Sequence, residues 1–132
     1  MQNRRSGTFV LLVVLAALAS GCVSDRIVAP GEMRDGVLTD WYAHKTLYTF
    51  DKDSTDPTRS MCNGDCALKW PPFRPNAGER PVRGFTIFKR DDGSLQWAYD
   101  GKPLYFYAGD NKVGDRNGDA ANGVWHVVKS SS

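Results

Sequence analysis

The sequence predicts an all-β domain, a small antiparallel β-sandwich or open barrel made of two pseudo-repeats, with at most a short helical turn. Three observations predict it. Short runs of alternating, β-branched or aromatic residues recur between Asp-Gly and Pro turns. A set of positions repeats at a spacing of 57 residues. Beyond the N-terminal leader, no stretch of more than a few residues carries the 3.6-residue apolar period of a helix.

Taken in order along the 132 residues, the chain opens on a leader, residues 1–21. Arg4 and Arg5 precede an unbroken apolar run from Phe9 to Ala19, the length of a signal-peptide core and too short to span a bilayer. The run closes on Leu18-Ala19-Ser20-Gly21-Cys22, which resembles the bacterial lipobox with its leucine one position further back. Such a box implies cleavage before Cys22 and lipidation of its thiol. Two or three acyl chains, at about 0.8 kcal/mol per buried methylene, make a durable membrane anchor where one chain is marginal. Val23, not Asp, follows the cysteine, so the expected destination is the outer membrane if the organism has one, otherwise the outer side of the single membrane. Residues 22–34 are polar, lack periodicity and include Pro30 and Gly31, and are expected to form a tether, leaving 35–129 as the two-repeat domain.

Arg4 and Arg5 are two of the seventeen basic residues, and none of the fifteen acids lies in the leader. The mature part is therefore charge-balanced, which offers no basic field for nucleic acid or for an anionic membrane surface.

In the first half, Asp35-Gly36 is a turn before Leu38, and Lys45 to Asp53 reads as a strand ending in a turn. Cys62 and Cys66 follow. An even pair left in an oxidising compartment predicts one disulfide, closed through Asn63-Gly64-Asp65; the alternative is a redox or copper site held by the reduced thiols. One turn of helix over Cys66-Ala67-Leu68-Lys69 is stopped by Trp70-Pro71-Pro72. In the second half, strands are expected over Phe85–Lys89, Leu95–Tyr99, Pro103–Tyr107 and Val124–Val128, with turns at Asp91-Asp92-Gly93 and Asp100-Gly101. A shift of 57 lays Asp35-Gly36-x-Leu38 on Asp92-Gly93-x-Leu95, Lys45-x-Leu47-Tyr48-x-Phe50-x-x-Asp53 on Lys102-x-Leu104-Tyr105-x-Tyr107-x-x-Asp110, and Arg59 on Arg116.

Tyr48-x-Phe50-x-x-Asp53, the Cys62–Pro72 segment and Tyr99–Asp110 together resemble a family of predicted bacterial lipoproteins named for a Tyr-x-(Phe/Trp/Tyr)-x-x-Asp motif, also described as a secreted repeat of unknown function. The resemblance implies export, lipidation and tandem repeats, with no established activity.

The candidate site residues follow from the motif. In a strand, Tyr48 and Phe50 share a face and Asp53 sits at its end; Tyr105, Tyr107 and Asp110 repeat this. One reading is aromatic packing with an Asp-capped turn. The other is a ligand-binding surface, since rings beside a carboxylate suit sugars, cations or peptides. Calcium is a possible cofactor at Asp115, Asn117 and Asp119, within a loop rich in oxygen ligands, although the closing Glu of a helix-loop-helix calcium site is missing. His44 and His126 are the only histidines. There is no nucleophile elbow, paired metal-binding histidines or phosphate-binding glycine loop. The expectation is a non-enzymatic, membrane-anchored envelope module for a protein or glycan partner, and the alternative is a metal or redox accessory lipoprotein using Cys62/Cys66 or the loop 110–119.

Overall fold

The computed structural model describes Ala16, Ser20, Gly21, residues 27–55 and residues 58–131. Cys22, the expected lipidation site, lies outside the described residues. Among those described, the elements are β1 (Gly31–Arg34), β2 (Val37–Asp40), β3 (Tyr48–Phe50), a 3-10 segment (Asp51–Thr55), α1 (Asp65–Lys69), β4 (Phe85–Lys89), β5 (Leu95–Tyr99), β6 (Lys102–Pro103), a 3-10 turn (Ala121–Gly123) and β7 (Trp125–Val127). The strands form antiparallel sheets ordered β1-β2, β3-β7 and β4-β5-β6. The all-β expectation, with its short helical turn, matches this architecture.

The fold starts earlier than the tether boundary at residue 34. Gly31 to Arg34 pair with Asp40 to Val37, so the last four tether residues belong to the domain. Glu32 is half-buried and Met33 and Arg34 are exposed, so no apolar alternation marks β1; its partner β2, buried throughout, supplies the burial. Gly31 also runs so close to its neighbours that a Cβ there would lie 2.9 Å from the Thr39 carbonyl oxygen. A side chain has no room at that position.

The two halves interlock. Tyr48 and Tyr105 exchange backbone hydrogen bonds, Tyr48 N–H to the Tyr105 carbonyl at 2.8 Å and the reverse at 3.0 Å. Flanking this pair, each half sends its final segment across to the other. Pro72 of the first half bridges Tyr105, and Val127 of the second pairs with Tyr48. Phe73 accepts from Trp97 N–H and donates to the Leu104 carbonyl, while the Val128 carbonyl accepts from Leu38 N–H. Each repeat is thus completed by a return segment from its twin.

These pairings correct the constant 57-residue offset. It holds from Lys45 to Asp53, but Thr39 pairs with Thr46 where Ala98 pairs with Pro103, so the preceding strands correspond at an offset of 59. Leu38 is therefore equivalent to Trp97, not Leu95, and the Asp-Gly match at 35 and 92 does not mark equivalent strand positions. The two extra residues sit between β2 and Thr46, where Trp41-Tyr42-Ala43-His44 replaces the two-residue turn Asp100-Gly101. The return segments correspond at an offset of 55, which brings Trp70 onto Trp125.

Two apolar clusters fill the interior. One contains Val37, Tyr48, Cys62, Trp70, Tyr105, Trp125 and Val127; the other contains Leu38, Leu47, Phe73, Phe85, Trp97 and Leu104. Both mix residues from the two halves, so neither half encloses a core of its own.

Candidate functional site

The motif residues meet across the pseudo-symmetric centre. Each 3.4 Å step along a strand alternates the side-chain face, so Tyr48 points inward from β3 and Tyr105 from the equivalent segment. Both are wholly buried. Tyr48 Oη donates to Asp110 Oδ2 at 2.6 Å, and Tyr105 Oη donates to Asp53 Oδ2 at 2.6 Å. The tyrosine of each repeat thus bonds the aspartate of the other. The second oxygen of each carboxylate is also used: Asp53 Oδ1 accepts from Met61 N–H at 2.7 Å and Asp110 Oδ1 from Asn117 N–H at 3.0 Å.

Above this exchange lies an aromatic stack. Trp70 and Trp125 are parallel with centroids 3.8 Å apart, Phe50 stacks on Trp125 at 4.2 Å and Tyr107 lies on Trp70 at 4.6 Å. The buried tyrosines present their edges to the same indoles, Tyr48 to Trp70 at 5.4 Å and Tyr105 to Trp125 at 5.1 Å, an arrangement the ring quadrupoles favour.

Burial, with the carboxylate each faces, holds both tyrosine hydroxyls well above the ordinary phenol range. Burial also raises Asp53, against the lowering effect of Tyr105, the Met61 N–H and the nearby Arg90. The expected ligand surface is corrected accordingly. Tyr48, Tyr105, Asp53 and Asp110 are buried and bonded to one another, and only the half-buried rings of Phe50 and Tyr107 reach outward.

A second polar group was not legible in sequence. Arg90, 4% exposed, donates through Nη1 to Ser60 Oγ at 2.9 Å and Gln96 Oε1 at 2.7 Å, and through Nη2 to the Cys62 carbonyl at 2.7 Å and Asn63 Oδ1 at 3.2 Å. Ser60 Oγ in turn bonds Tyr105 Oη at 2.7 Å. Cys62 and Cys66 form the expected disulfide, with Cα atoms 5.2 Å apart, so Arg90 ties that loop to β5 and to the motif centre. With the bond in place, neither cysteine presents a thiolate for a soft metal. In sequence, Arg90 next to Asp91-Asp92 has the pattern of a solvated turn, and its burial depends on the distant Cys62 loop.

Each of the three calcium candidates makes hydrogen bonds of its own. Asp115 Oδ2 accepts from the N–H groups of Asn111 and Lys112, both at 2.9 Å, which hold its carboxyl below the usual range. Asn117 serves Asp110 through both backbone and side chain, and Asp119 Oδ1 accepts from Val127 N–H at 3.1 Å. Among the described residues, no three His, Cys, Asp or Glu side chains gather as a metal set. Asp and Asn here close loop turns.

The reciprocity extends to the surface. Arg59 pairs with Asp91 at 3.2 Å, and Arg116 donates to the Asp35 carbonyl at 2.8 Å, each arginine reaching the hairpin turn of the other repeat. His44 lies 3.0 Å from Glu32, and His126 2.9 Å from Asp51. The His126–Asp51 pair borders an open cleft of about 330 Å³ that also meets Thr49, Asp100, Lys102 and Lys129.

Fold and site together define a two-repeat β domain in which the signature tyrosines and aspartates lock one copy to the other. The chain belongs to the family described as a secreted repeat of unknown function, whose model matches residues 33–74 and 86–129. The first span runs from within β1 through the return segment at Phe73, the second from β4 to just past β7, so the family unit and the structural unit coincide. No curated protein and no solved structure matches the chain.

Proposed function

We propose that the chain is an exported, lipid-anchored envelope protein whose domain is a rigid, non-enzymatic module holding an envelope protein or glycan partner. The observation that carries this reading is the reciprocal Tyr–Asp exchange: the residues that define the repeat are spent inside the fold on joining it, which is the work of a scaffold. The leader ending at Gly21, just before Cys22, and membership of a secreted family support export. A partner has a half-buried ring to lie on at Phe50, whose shallow cleft also offers Thr49, Asp51 and Lys102, with His126 alongside. Apolar surface next to a few donors and acceptors is what sugar and peptide recognition uses.

Protein extracted from its native membrane tests the anchor: the N-terminal peptide should carry a diacylglyceryl group on Cys22, and an unmodified cysteine refutes it. Titration with envelope polysaccharide fragments and with detergent-solubilised envelope proteins, using wild type and Lys102→Ala, tests the binding role. Binding weakened by the substitution is expected. Turnover of any substrate would overturn the non-enzymatic reading.

A further inference from the structure

The interlocked core explains most of the aromatic residues, but not Trp41 and Tyr42. They are 44% and 63% exposed, on the four-residue turn that replaces Asp100-Gly101 of the other half. The twin turn shows that the fold closes this corner with two residues and no ring. The extra length is nonetheless rigidly built. The buried Asp40 carboxylate accepts from the N–H groups of Tyr42, Ala43 and Lys45 at 3.1, 2.7 and 2.7 Å, and Trp41 N–H donates to the Pro30 carbonyl at 2.8 Å. Ile27, Val28 and Met33, all exposed, lie on the same face and border an open groove of about 620 Å³ with Trp41, Phe85 and Tyr99.

Of the acids on this face, Glu32 is engaged by Arg34 and His44, and Glu79 by Tyr42 and Asn76. Arg80 and Arg83 are exposed beside them. Arg83, in the left-handed region with φ 47°, lies at the groove itself. A rigid apolar face with two rings and flanking guanidinium groups has the composition of a surface seated at a lipid–water boundary.

The position of the anchor selects the occupant. Five residue steps separate Cys22 from Ile27, a reach of no more than about 18 Å. We infer that the face formed by Ile27, Val28, Met33, Trp41 and Tyr42 rests on the lipid bilayer that holds Cys22, so that the domain sits in a fixed orientation with its opposite side presented outward. This rests on the acylation of Cys22 proposed above.

Trp41 is its own reporter, because Trp70, Trp97 and Trp125 are 3%, 1% and 3% exposed. Acylated protein purified from its native membrane is reconstituted in phosphatidylcholine vesicles with plain or brominated acyl chains. Tryptophan emission should fall in the brominated vesicles, and the loss should disappear in Trp41→Phe. A Trp41→Ser/Tyr42→Ser variant, altered only at exposed positions, should keep the wild-type melting temperature and disulfide but become freely cleavable by protease near residue 27 on the vesicle. The mass of the Cys22 peptide is read from the same sample. Acylated protein without bromine quenching overturns the docking and leaves the anchor standing. A bare Cys22 overturns both.

Discussion

Deleting one hydroxyl oxygen from Tyr105 tests the motif centre directly. In Tyr105→Phe the ring keeps its edge contact with Trp125, but the buried Asp53 carboxylate loses the 2.6 Å donor and retains the Met61 N–H at 2.7 Å and the field of Arg90. A hydrogen bond to a charged acceptor contributes about 1.5–3 kcal/mol, and little of that is returned because no water replaces the donor in a fully buried site. In a domain of this size each kcal/mol moves the melting temperature by about 4–8 °C, so a fall of about 10 °C is expected. Tyr48→Phe should cost a similar amount through Asp110, whose Oδ2 accepts from Tyr48 at the same 2.6 Å, and it also leaves the Gly118 N–H without its acceptor. The assay is thermal and urea unfolding with the disulfide intact, followed by tryptophan fluorescence. Repeating Tyr105→Phe on an Asp53→Asn background should reveal a coupling of about 1 kcal/mol or more between the two positions. If both single variants melt within about 2 °C of wild type, the exchange does not hold the halves together and the scaffold reading loses its support.

Three further outcomes follow from the same network. Arg90→Met strips Ser60, Gln96, Asn63 and the Cys62 carbonyl of a charged donor and should cost about 2–3 kcal/mol in urea unfolding; an unchanged midpoint would mean that Arg90 does not occupy the interior. Cys62→Ala/Cys66→Ala opens only a five-residue loop, so the loss should be about 2 kcal/mol or less, with circular dichroism unchanged. The pH dependence lies on the alkaline side. The folded tyrosines hold their protons above the unfolded value of about 10, so their contribution is complete below that pH and declines as pH rises further, by up to about 1.4 kcal/mol per pH unit for each tyrosine. Urea midpoints compared at about pH 9 and about pH 11 should show this fall, and Tyr48→Phe/Tyr105→Phe should flatten it.

What could be read in the sequence was governed by how far the determining contacts lie along the chain. Lys45 to Asp53 and Lys102 to Asp110 repeat without a gap, because a short strand and its turn leave no room for insertions; the repeat was visible there. The equivalence of Trp70 and Trp125 was not, since loops of different length shift it to an offset of 55 although the two rings stack at 3.8 Å. The offset at Asp35-Gly36 was misleading, because Asp-Gly recurs wherever a turn is needed. Asp53 and Asp110 read naturally as local turn caps, and they do accept backbone N–H groups. Their second oxygens receive hydroxyls from residues 52 and 62 positions away, which no local pattern encodes. The burial of Arg90 depends in the same way on the distant Cys62–Asn63 loop.

The exchange of return segments also sets an order of events. Strand β3 of the first copy has Tyr105 on one side and β7 on the other, both supplied by the second copy. A chain made N-terminus first therefore releases a complete first repeat that has nothing to zip against. Closure waits for the last dozen residues, and it requires contacts of long sequence separation, which fold slowly.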